Sequence, residues 1–200
     1  MVKARTSLGA GMTGATLVLA ALMAPVAPAA AGALMCEPGS SWEQITGTPT
    51  DTLTHITGYQ APPGGSLPGL TADATVRLTA AVEGRGIGAR DAAGIIDRAA
   101  TQLSVRLAPL GQATSLRDVP ILKSTRASSR DTYYAAFAGR QVWRGDWVRH
   151  QCASEGRSTR VVASGTWQSY GPQFTDLVTC PAQKQPQESL AQKACRETWG

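Results

Sequence analysis

The sequence predicts an α+β domain, and three observations lead to that class. Apolar residues recur at helical spacing near the middle of the chain, aromatic and β-branched segments separated by glycine-bearing breaks follow, and four cysteines are present. Helical spacing and strand-like alternation in separate parts of a chain are typical of α+β folds. Four cysteines in an exported chain indicate two disulfides that staple a small domain.

Residues 1–33 are predicted to be a secretory signal peptide. Lys3 and Arg5 precede an apolar run over residues 16–24, and residues 27–33 offer several Ala-x-Ala cleavage positions. The run is shorter than the roughly 20 apolar residues that a membrane-spanning helix needs. We therefore expect a secreted, extracellular protein without a membrane partner after cleavage. Its net charge of +5 falls by two when Lys3 and Arg5 are removed, so no nucleic-acid partner is expected.

Residues 34–70 are predicted to form an extended arm rich in Gly, Pro and Thr. The arm ends in Ala-Pro-Pro-Gly-Gly-Ser-Leu-Pro-Gly over residues 61–69, a composition that suits neither a helix nor an inner strand. Five apolar or aromatic residues are nevertheless spaced along it, and they either dock into a groove of a partner or pack onto the chain's own domain. These residues are Trp42, Ile45, Leu53, Ile56 and Tyr59.

A single globular domain is predicted over residues 71–200, beginning with a strand-helix-strand unit. Residues 74–82 alternate between apolar and polar side chains, as a half-buried strand does, and residues 103–107 alternate again. Between them, residues 89–100 form the clearest helix in the chain. Its apolar face is made by Ala92, Ile95, Ile96 and Ala99.

An antiparallel β-meander and a short C-terminal helix are predicted to follow. The glycine-bearing breaks at residues 144–145, 154–157 and 170–172 indicate turns between short strands. The four predicted strands span residues 132–143, 146–153, 158–167 and 174–180, and the helix spans residues 187–198.

The meander constrains the pairing of Cys36, Cys152, Cys180 and Cys195. If its strands pair in sequence order, Cys152 and Cys180 lie two strand spacings of about 4.8 Å apart, too far for a disulfide. A local bridge between Cys180 and Cys195 is then expected. Cys36 is left either to pair with Cys152 or to remain available to another subunit.

The sequence offers little catalytic chemistry. It contains two histidines, His55 and His150, and neither lies near other candidate catalytic groups. There is no Gly-x-Ser-x-Gly, no His-Glu-x-x-His and no Cys-x-x-Cys motif. We therefore expect no enzymatic activity, no metal site and no cofactor.

Aromatic residues and arginines are instead concentrated between residues 130 and 170. Trp, Tyr and Arg are enriched among the residues that anchor protein interfaces. Part of this set belongs to the core of any sheet, and Tyr133, Phe137 and Val161 are expected to face inward. The residues predicted to contact a partner, besides those of the arm, are Trp143, Arg144, Trp147, Arg149 and Trp167.

The tripeptide Arg144-Gly145-Asp146 resembles an adhesion signal, but its context favours a turn. Predicted strands end at Trp143 and resume near Trp147, and Gly145 lies where a tight hairpin needs a residue that tolerates positive φ. We therefore predict a hairpin tip flanked by two tryptophans, with Arg144 available to a partner.

The order of these motifs resembles that of a group of small exported actinobacterial proteins. The motifs are Tyr-Tyr-Ala-Ala-Phe-Ala-Gly at residues 133–139, Trp-Arg-Gly-Asp-Trp at residues 143–147, Gly-Thr-Trp at residues 165–167, and the cysteines at 152, 180 and 195. Within that group the chain is similar to the connector subunits of umbrella-shaped secreted toxin particles. The resemblance implies a small subunit that joins a lectin-like spoke protein to a large toxin-bearing ring protein and docks through an extended N-terminal arm.

Taken with the residues themselves, these features predict a secreted, non-catalytic adaptor that binds other secreted proteins through its arm and one face of its sheet. Two alternatives stay open. One is a carbohydrate or cell-wall binding module that uses Trp143, Trp147 and Trp167, and the other is a secreted protease inhibitor.

Overall fold

A computed structural model describes residues 35–67, 69–123, 125–126, 130–180 and 188–200. The predicted signal peptide lies outside the described residues. The chain forms a mostly antiparallel sheet with two helices, in agreement with the α+β class. The strands are β1 (Ser41–Ile45), β2 (Thr48–Ala61), β3 (Ser66–Leu67), β4 (Thr71–Ala74), β5 (Ala81–Arg85), β6 (Val119–Pro120), β7 (Thr125–Arg126), β8 (Thr132–Cys152) and β9 (Thr159–Cys180). The helices are α1 (Ala89–Gln102) and α2 (Leu190–Trp199).

Two long strands, β8 and β9, form the centre of the sheet as one antiparallel hairpin of 21 and 22 residues. The larger sheet has the order β5-β9-β8-β2-β4-β6, and β1 also pairs with β8. β2 covers the first part of β8 and β1 covers the last part, so residues 41–61 follow β8 along most of its length. Strands β3 and β7 pair separately.

The predicted arm is therefore wrong as a description of residues 41–61. β2 is an inner strand between β8 and β4, and Leu53 and Ala61 on it are buried. Thr-rich alternation over residues 48–57 suits a strand, because β-branched side chains pack well on a pleated surface. Pro49 is tolerated because it lies beside the irregular junction between β1 and β2.

The predicted four-strand meander is also corrected, because two of its three turns do not exist. Residues 144–145 and 170–172 lie inside β8 and β9, and the ladder between these strands shifts register near Arg140 and Arg149 instead of ending. Such shifts bend a strand without terminating it. The third turn, at residues 154–157, is present, and Gly156 adopts a φ of 69° there.

Helix α1 agrees with the sequence pattern, and its four buried residues are the predicted ones, Ala92, Ile95, Ile96 and Ala99. Its predicted flanking strands differ. The preceding strand is β5, with residues 75–80 outside the named strands, and residues 103–107 do not form a strand. In residues 103–107 the alternation instead turns Leu103 and Leu107 toward the core beneath the helix.

Helix α2 closes the other end of the sheet. A capping box between Ser189 and Gln192 satisfies backbone N–H groups at its start. Its residues Ala194 and Cys195 pack with Leu53, Ala135 and Phe137. The position of the predicted C-terminal helix is thus confirmed to within a few residues.

Two disulfides join distant parts of this fold. Cys36 pairs with Cys152 at a Cα separation of 5.9 Å, and Cys180 pairs with Cys195 at 5.5 Å. The local bridge agrees with the prediction, and of the two alternatives for Cys36 the structure shows the bond within the chain. Within the described part of the chain, neither helix has the length and apolar character needed to cross a membrane.

Candidate functional site

Alternate residues of β8 divide the sheet into two faces in the region around Arg144-Gly145-Asp146. Trp147 and Arg149 point toward helix α1, where Trp147 packs with Ile95 and Ala99. We call this the inner face. Arg144, Asp146, Val148 and His150 point away from α1, and we call their side, with the register partners described below, the outer face.

Four of the ten predicted partner-binding residues lie in the core. Trp147 is 0% exposed, Trp167 is 2%, Leu53 is 3% and Ile45 is 9%, so these side chains contribute to stability and not to an accessible surface. This corrects the predicted roles of those four residues. Trp143, Ile56 and Tyr59 are half-buried, while Trp42 and Arg144 are exposed.

The two buried tryptophans have equivalent surroundings on neighbouring strands. Trp147 is opposite Gly165, and Trp167 is opposite Gly145. The indole Nε1 of Trp147 donates to Glu83 O at 3.1 Å, and that of Trp167 donates to Thr46 O at 2.8 Å. Trp147 therefore reaches across β9 to β5, and Trp167 reaches across β8 to the connection between β1 and β2.

The guanidinium of Arg149, another predicted partner-binding residue, forms ion pairs within the chain. Its Nε donates to Glu43 Oε1 at 2.9 Å, and its Nη1 lies 3.5 Å from Asp91 Oδ2. Burial alone would lower the pKa of Arg149, but hydrogen bonds to Glu43 and Asp91 raise it. The same Glu43 carboxylate forms an ion pair with Arg98 Nη2 at 3.1 Å, so Arg98 and Arg149 together connect α1 to β1 and β8.

The tripeptide Arg144-Gly145-Asp146 lies in the middle of β8, and the predicted hairpin tip is wrong. Trp143 and Trp147 are therefore four residues apart on one side of a continuous strand. Gly145 is needed for a different reason, because a Cβ there would lie well inside van der Waals contact with Thr46 O. Arg144 and Asp146 project together from the outer face.

The outer face carries side chains in rows that cross several strands. One row contains Trp42, His150 and Val161, in that order across β1, β8 and β9. The next contains Gln44, Val148, Ser164 and Arg85. Two further rows are formed by Asp146, Thr166 and Glu83, and by Thr48, Arg144, Gln168 and Ala81.

The first row is an exposed apolar patch. Trp42 is 40% exposed, Val161 is 57% and the adjacent Val162 is 43%. The Trp42 and His150 rings are stacked, with centroids 5.4 Å apart and an interplanar angle of 15°. Val161 had been expected in the core, as had Tyr133, which is 40% exposed, whereas Phe137 is buried as predicted.

A polar cavity of about 420 Å³ lies on the same face, separated from this patch by the row of Gln44, Val148, Ser164 and Arg85. Glu83, Arg144, Asp146 and Gln168 are among its lining residues. Arg144 Nε donates to Gln168 Oε1 at 2.8 Å, and Gln168 Nε2 donates to Thr79 O at 3.0 Å. The cavity therefore carries a positive charge on Arg144 and negative charges on Glu83 and Asp146, and hydrogen bonds hold Arg144 and Gln168 in place. Such a surface can form hydrogen bonds and ion pairs with a polar ligand.

Neither histidine lies in this cavity. His55 is 1% exposed, and its Nδ1 and Nε2 lie 2.9 Å from Thr54 Oγ1 and 3.1 Å from Arg117 O. Burial lowers the pKa of His55, opposed by the hydrogen bond to Arg117 O. Across residues 35–67, 69–123, 130–180 and 188–200, no three His, Cys, Asp or Glu side chains are grouped to hold a metal ion.

Sequence reasoning missed Glu83, Asp146, Val161 and Val162 as surface residues of this site. Their neighbours across the sheet depend on the pairing of β5, β8 and β9, for which the chain has no local signal. The alternation of Arg144, Asp146 and Val148 with Gly145 and Trp147 could have indicated the two faces, had residues 144–145 been read as strand. Comparisons with protein-family models, curated proteins and solved structures find no match to this chain.

Proposed function

We propose that this chain is a secreted, non-catalytic adaptor that binds another extracellular protein through its outer face. The observation that supports this most directly is that the exposed row of Trp42, His150 and Val161 shares the outer face with the charged residues of the polar cavity, one row away. An apolar centre next to polar and charged groups is typical of protein interfaces. The two disulfides fit an oxidising compartment, as an extracellular location requires.

The composition of the patch favours a protein over a carbohydrate as its ligand. Val161 and Val162 are aliphatic and exposed, and one face of the Trp42 ring is already covered by His150. Sugars bind mainly on open aromatic ring faces, and two of the tryptophans predicted for that role, Trp147 and Trp167, are buried. A partner protein uses aliphatic and aromatic contacts equally well.

The connector role in a secreted toxin particle is one form of this function. In that role the sheet face, and not a free arm, would carry the contact, because residues 41–61 are paired with β8. The proposal requires only that the exported chain binds partner proteins. It does not require that those partners belong to a toxin particle.

Affinity purification of the tagged, exported protein from culture supernatant tests the proposal. The wild type is compared with a double variant, Trp42→Ser with Val161→Ser, and with the control Leu122→Ser, which removes an apolar side chain that is 93% exposed elsewhere. We expect one or more extracellular proteins to co-purify with the wild type and the control. Recovery with the double variant should fall at least about tenfold, as expected when interface anchors are lost.

Circular dichroism and the unfolding midpoint show whether the double variant is folded, so that lost binding can be assigned to the surface. Equal recovery of every partner with the double variant would remove the outer face from the mechanism. Sedimentation with isolated cell-wall polymer that depends on Trp42 would instead identify a carbohydrate-binding module.

A further inference from the structure

A second candidate binding surface begins on the inner face, between the areas covered by the two helices, and continues over the β9 edge. Leu53 of β2 packs under α2, and Trp143 of β8 packs near α1. Between them, Asp51 and Gln141 are register partners and both are exposed. This uncovered strip leads to the β9 edge at residues 171–172. Across that edge lies Arg140, which by the alternation of β8 projects on the opposite side of the sheet from Gln141 and Trp143. We call the strip, that edge and the Arg140 side chain the inter-helix cleft.

Arg140 is a charged residue at this cleft whose guanidinium is held by hydrogen bonds to neutral groups. It is half-buried, its Nη1 donates to Gly171 O at 2.8 Å, and its Nη2 donates to Gln173 Oε1 at 3.1 Å. The guanidinium lies 5.0 Å from the centroid of the Tyr170 ring. Burial lowers the pKa of Arg140, and the nearby Tyr170 opposes that change.

No counter-charge accompanies this guanidinium. Among the residues that the structure describes, no carboxylate forms an ion pair with Arg140, and its buried Nε has no hydrogen-bond partner. A charge removed from water is costly unless it is paired. The Tyr170 hydroxyl beside it is likewise buried, and no described residue forms a hydrogen bond with it.

Arg106 adds a second positive charge at the same place. It is exposed and, like Arg140, forms no ion pair with a described carboxylate. Both arginines line a cavity of about 190 Å³, together with Tyr170, Gln112 and Pro172. Two guanidinium groups without acidic partners in one cavity fit a carboxylate, which guanidinium binds through paired hydrogen bonds.

An apolar cavity of about 350 Å³ adjoins the first, and the two share Arg106, Gly171 and Pro172. Trp143 and Phe174 supply its aromatic walls, and Asp51 contributes one negative charge. The exposure of Phe174, at 40%, shows that this part of the cleft is open. A small molecule would be mostly enclosed in its pocket, so an open cleft fits a longer ligand better.

The backbone beside the cleft supports an extended ligand. β5 pairs with β9 over residues 164–168, and Ala108 N donates to Tyr170 O at 2.9 Å. In the described part of the chain, no strand pairs with that edge of β9 from Gln173 to Cys180. An open strand edge offers N–H and C=O groups to an added peptide strand.

We propose that the inter-helix cleft binds an extended segment of a partner protein whose acidic side chain reaches Arg106 and Arg140 and whose neighbouring apolar side chain contacts Trp143 and Phe174. The charge of the two arginines selects the acidic residue, and the β9 edge holds the backbone. This surface lies apart from the row of Trp42, His150 and Val161, and together the two would supply the two contacts that an adaptor needs.

Titration with two synthetic peptides tests this cleft. The probes are N-acetyl-Val-Glu-Phe-Val-amide and its neutral counterpart N-acetyl-Val-Gln-Phe-Val-amide, added at low salt to the full mature protein. Binding is followed by NMR shifts of the tryptophan indole N–H groups. We expect the dissociation constant of the acidic peptide to be at least about fivefold lower, because hydrogen bonds between charged groups are stronger.

The variant Arg106→Gln should reduce this preference, because one of the two positive charges is lost and Arg106 is exposed, so its replacement should not disturb the fold. Arg85→Gln, which changes an exposed arginine on β5, is the matched control and should retain it. Trp42→Ser with Val161→Ser should also retain it, so a failure at the cleft is distinguishable from a failure at the outer face.

Several results would overturn the proposal: equal affinity for the two peptides, a preference that is undiminished in Arg106→Gln, or no binding of either peptide. Complete displacement of the acidic peptide by acetate at the same concentration would show a general anion site without peptide recognition.

Discussion

Trp147 is opposite Gly165 across β8 and β9, and its indole extends beyond that glycine to donate to Glu83 O on β5. A Cβ added at Gly84 would lie 2.5 Å from Cζ2 of the same indole. The ring thus occupies the space that a side chain at residue 84 would fill, while the missing side chain at residue 165 leaves room for the backbone of β5. Trp167 and Gly145 form the equivalent pair. The glycine of each Gly-x-Trp segment is therefore opposite the tryptophan of the other segment.

Gly165 should be intolerant of any side chain. A Cβ at this position would lie well inside van der Waals contact with Glu83 O, which belongs to backbone and cannot move away cheaply. We expect Gly165→Ala to lower the free energy of unfolding by about 3 kcal/mol or more. Urea unfolding followed by tryptophan fluorescence measures the change.

Gly88→Ala is the matched control, because a Cβ there meets nothing within 4 Å. It should change the stability by less than about 1 kcal/mol, the usual range for a replacement at a helix N-cap. Similar losses in the two variants would show that the contact with Glu83 O is not what requires glycine at residue 165.

Trp147 should be sensitive to the loss of its N–H as well as its size. Trp147→Phe removes the donor to Glu83 O and leaves a void at a site that is 0% exposed. We expect a loss of about 2–4 kcal/mol in the free energy of unfolding. Trp42→Phe, at a residue that is 40% exposed, should cost less than about 0.5 kcal/mol in the same urea titration.

Local patterns in the sequence were sufficient to predict the elements whose signals lie within a few consecutive residues. Helix α1 has its apolar residues three and four positions apart, and α2 begins at a serine with a glutamine three residues later. The tight turn at residues 154–157 was also found, because Gly156 needs positive φ there. Each of these signals is contained in a few consecutive residues.

The long-range pairings had no such signal. β2 pairs with β8, which follows it by about eighty residues, and its Thr-rich sequence resembles that of a linker. Gly145 was interpreted as a turn because a glycine needed for close approach looks the same in a sequence as one needed for positive φ. Its true requirement, the approach of Thr46 O, becomes visible once the strands are paired.

The disulfide between Cys36 and Cys152 should stabilise the fold more than the one between Cys180 and Cys195. The first closes a sequence separation of 116 residues and the second a separation of 15. Chain entropy alone gives contributions of about 4.7 and about 3 kcal/mol for loops of these sizes. Paired Cys→Ser variants of each bridge, compared by urea unfolding, check the ranking.

Peptide mapping under non-reducing conditions provides the control for this comparison. It should recover a Cys36–Cys152 peptide pair and a Cys180–Cys195 pair from the wild type. A peptide that joins Cys152 to Cys180 would contradict both the pairing and the predicted order of stability.

The burial of His55 should make the protein less stable in mild acid. Burial lowers the pKa of this histidine, so the folded protein resists a proton that the unfolded chain accepts below about pH 6.5. Its contribution is therefore fully present above that pH and is lost as the pH falls toward the lower pKa of the folded state. The midpoint of urea unfolding should therefore decrease as the pH is lowered from neutral to about pH 5.

The variant His55→Gln separates this effect from the titration of carboxylates. Glutamine can hydrogen-bond to Thr54 or to Arg117 O but takes up no proton, so the fall in stability below about pH 6.5 should be smaller than in the wild type. His150→Gln, at the Trp42 stack on the outer face, leaves His55 in place and should keep the wild-type slope. An unchanged slope in His55→Gln would show that the acid sensitivity arises from another group.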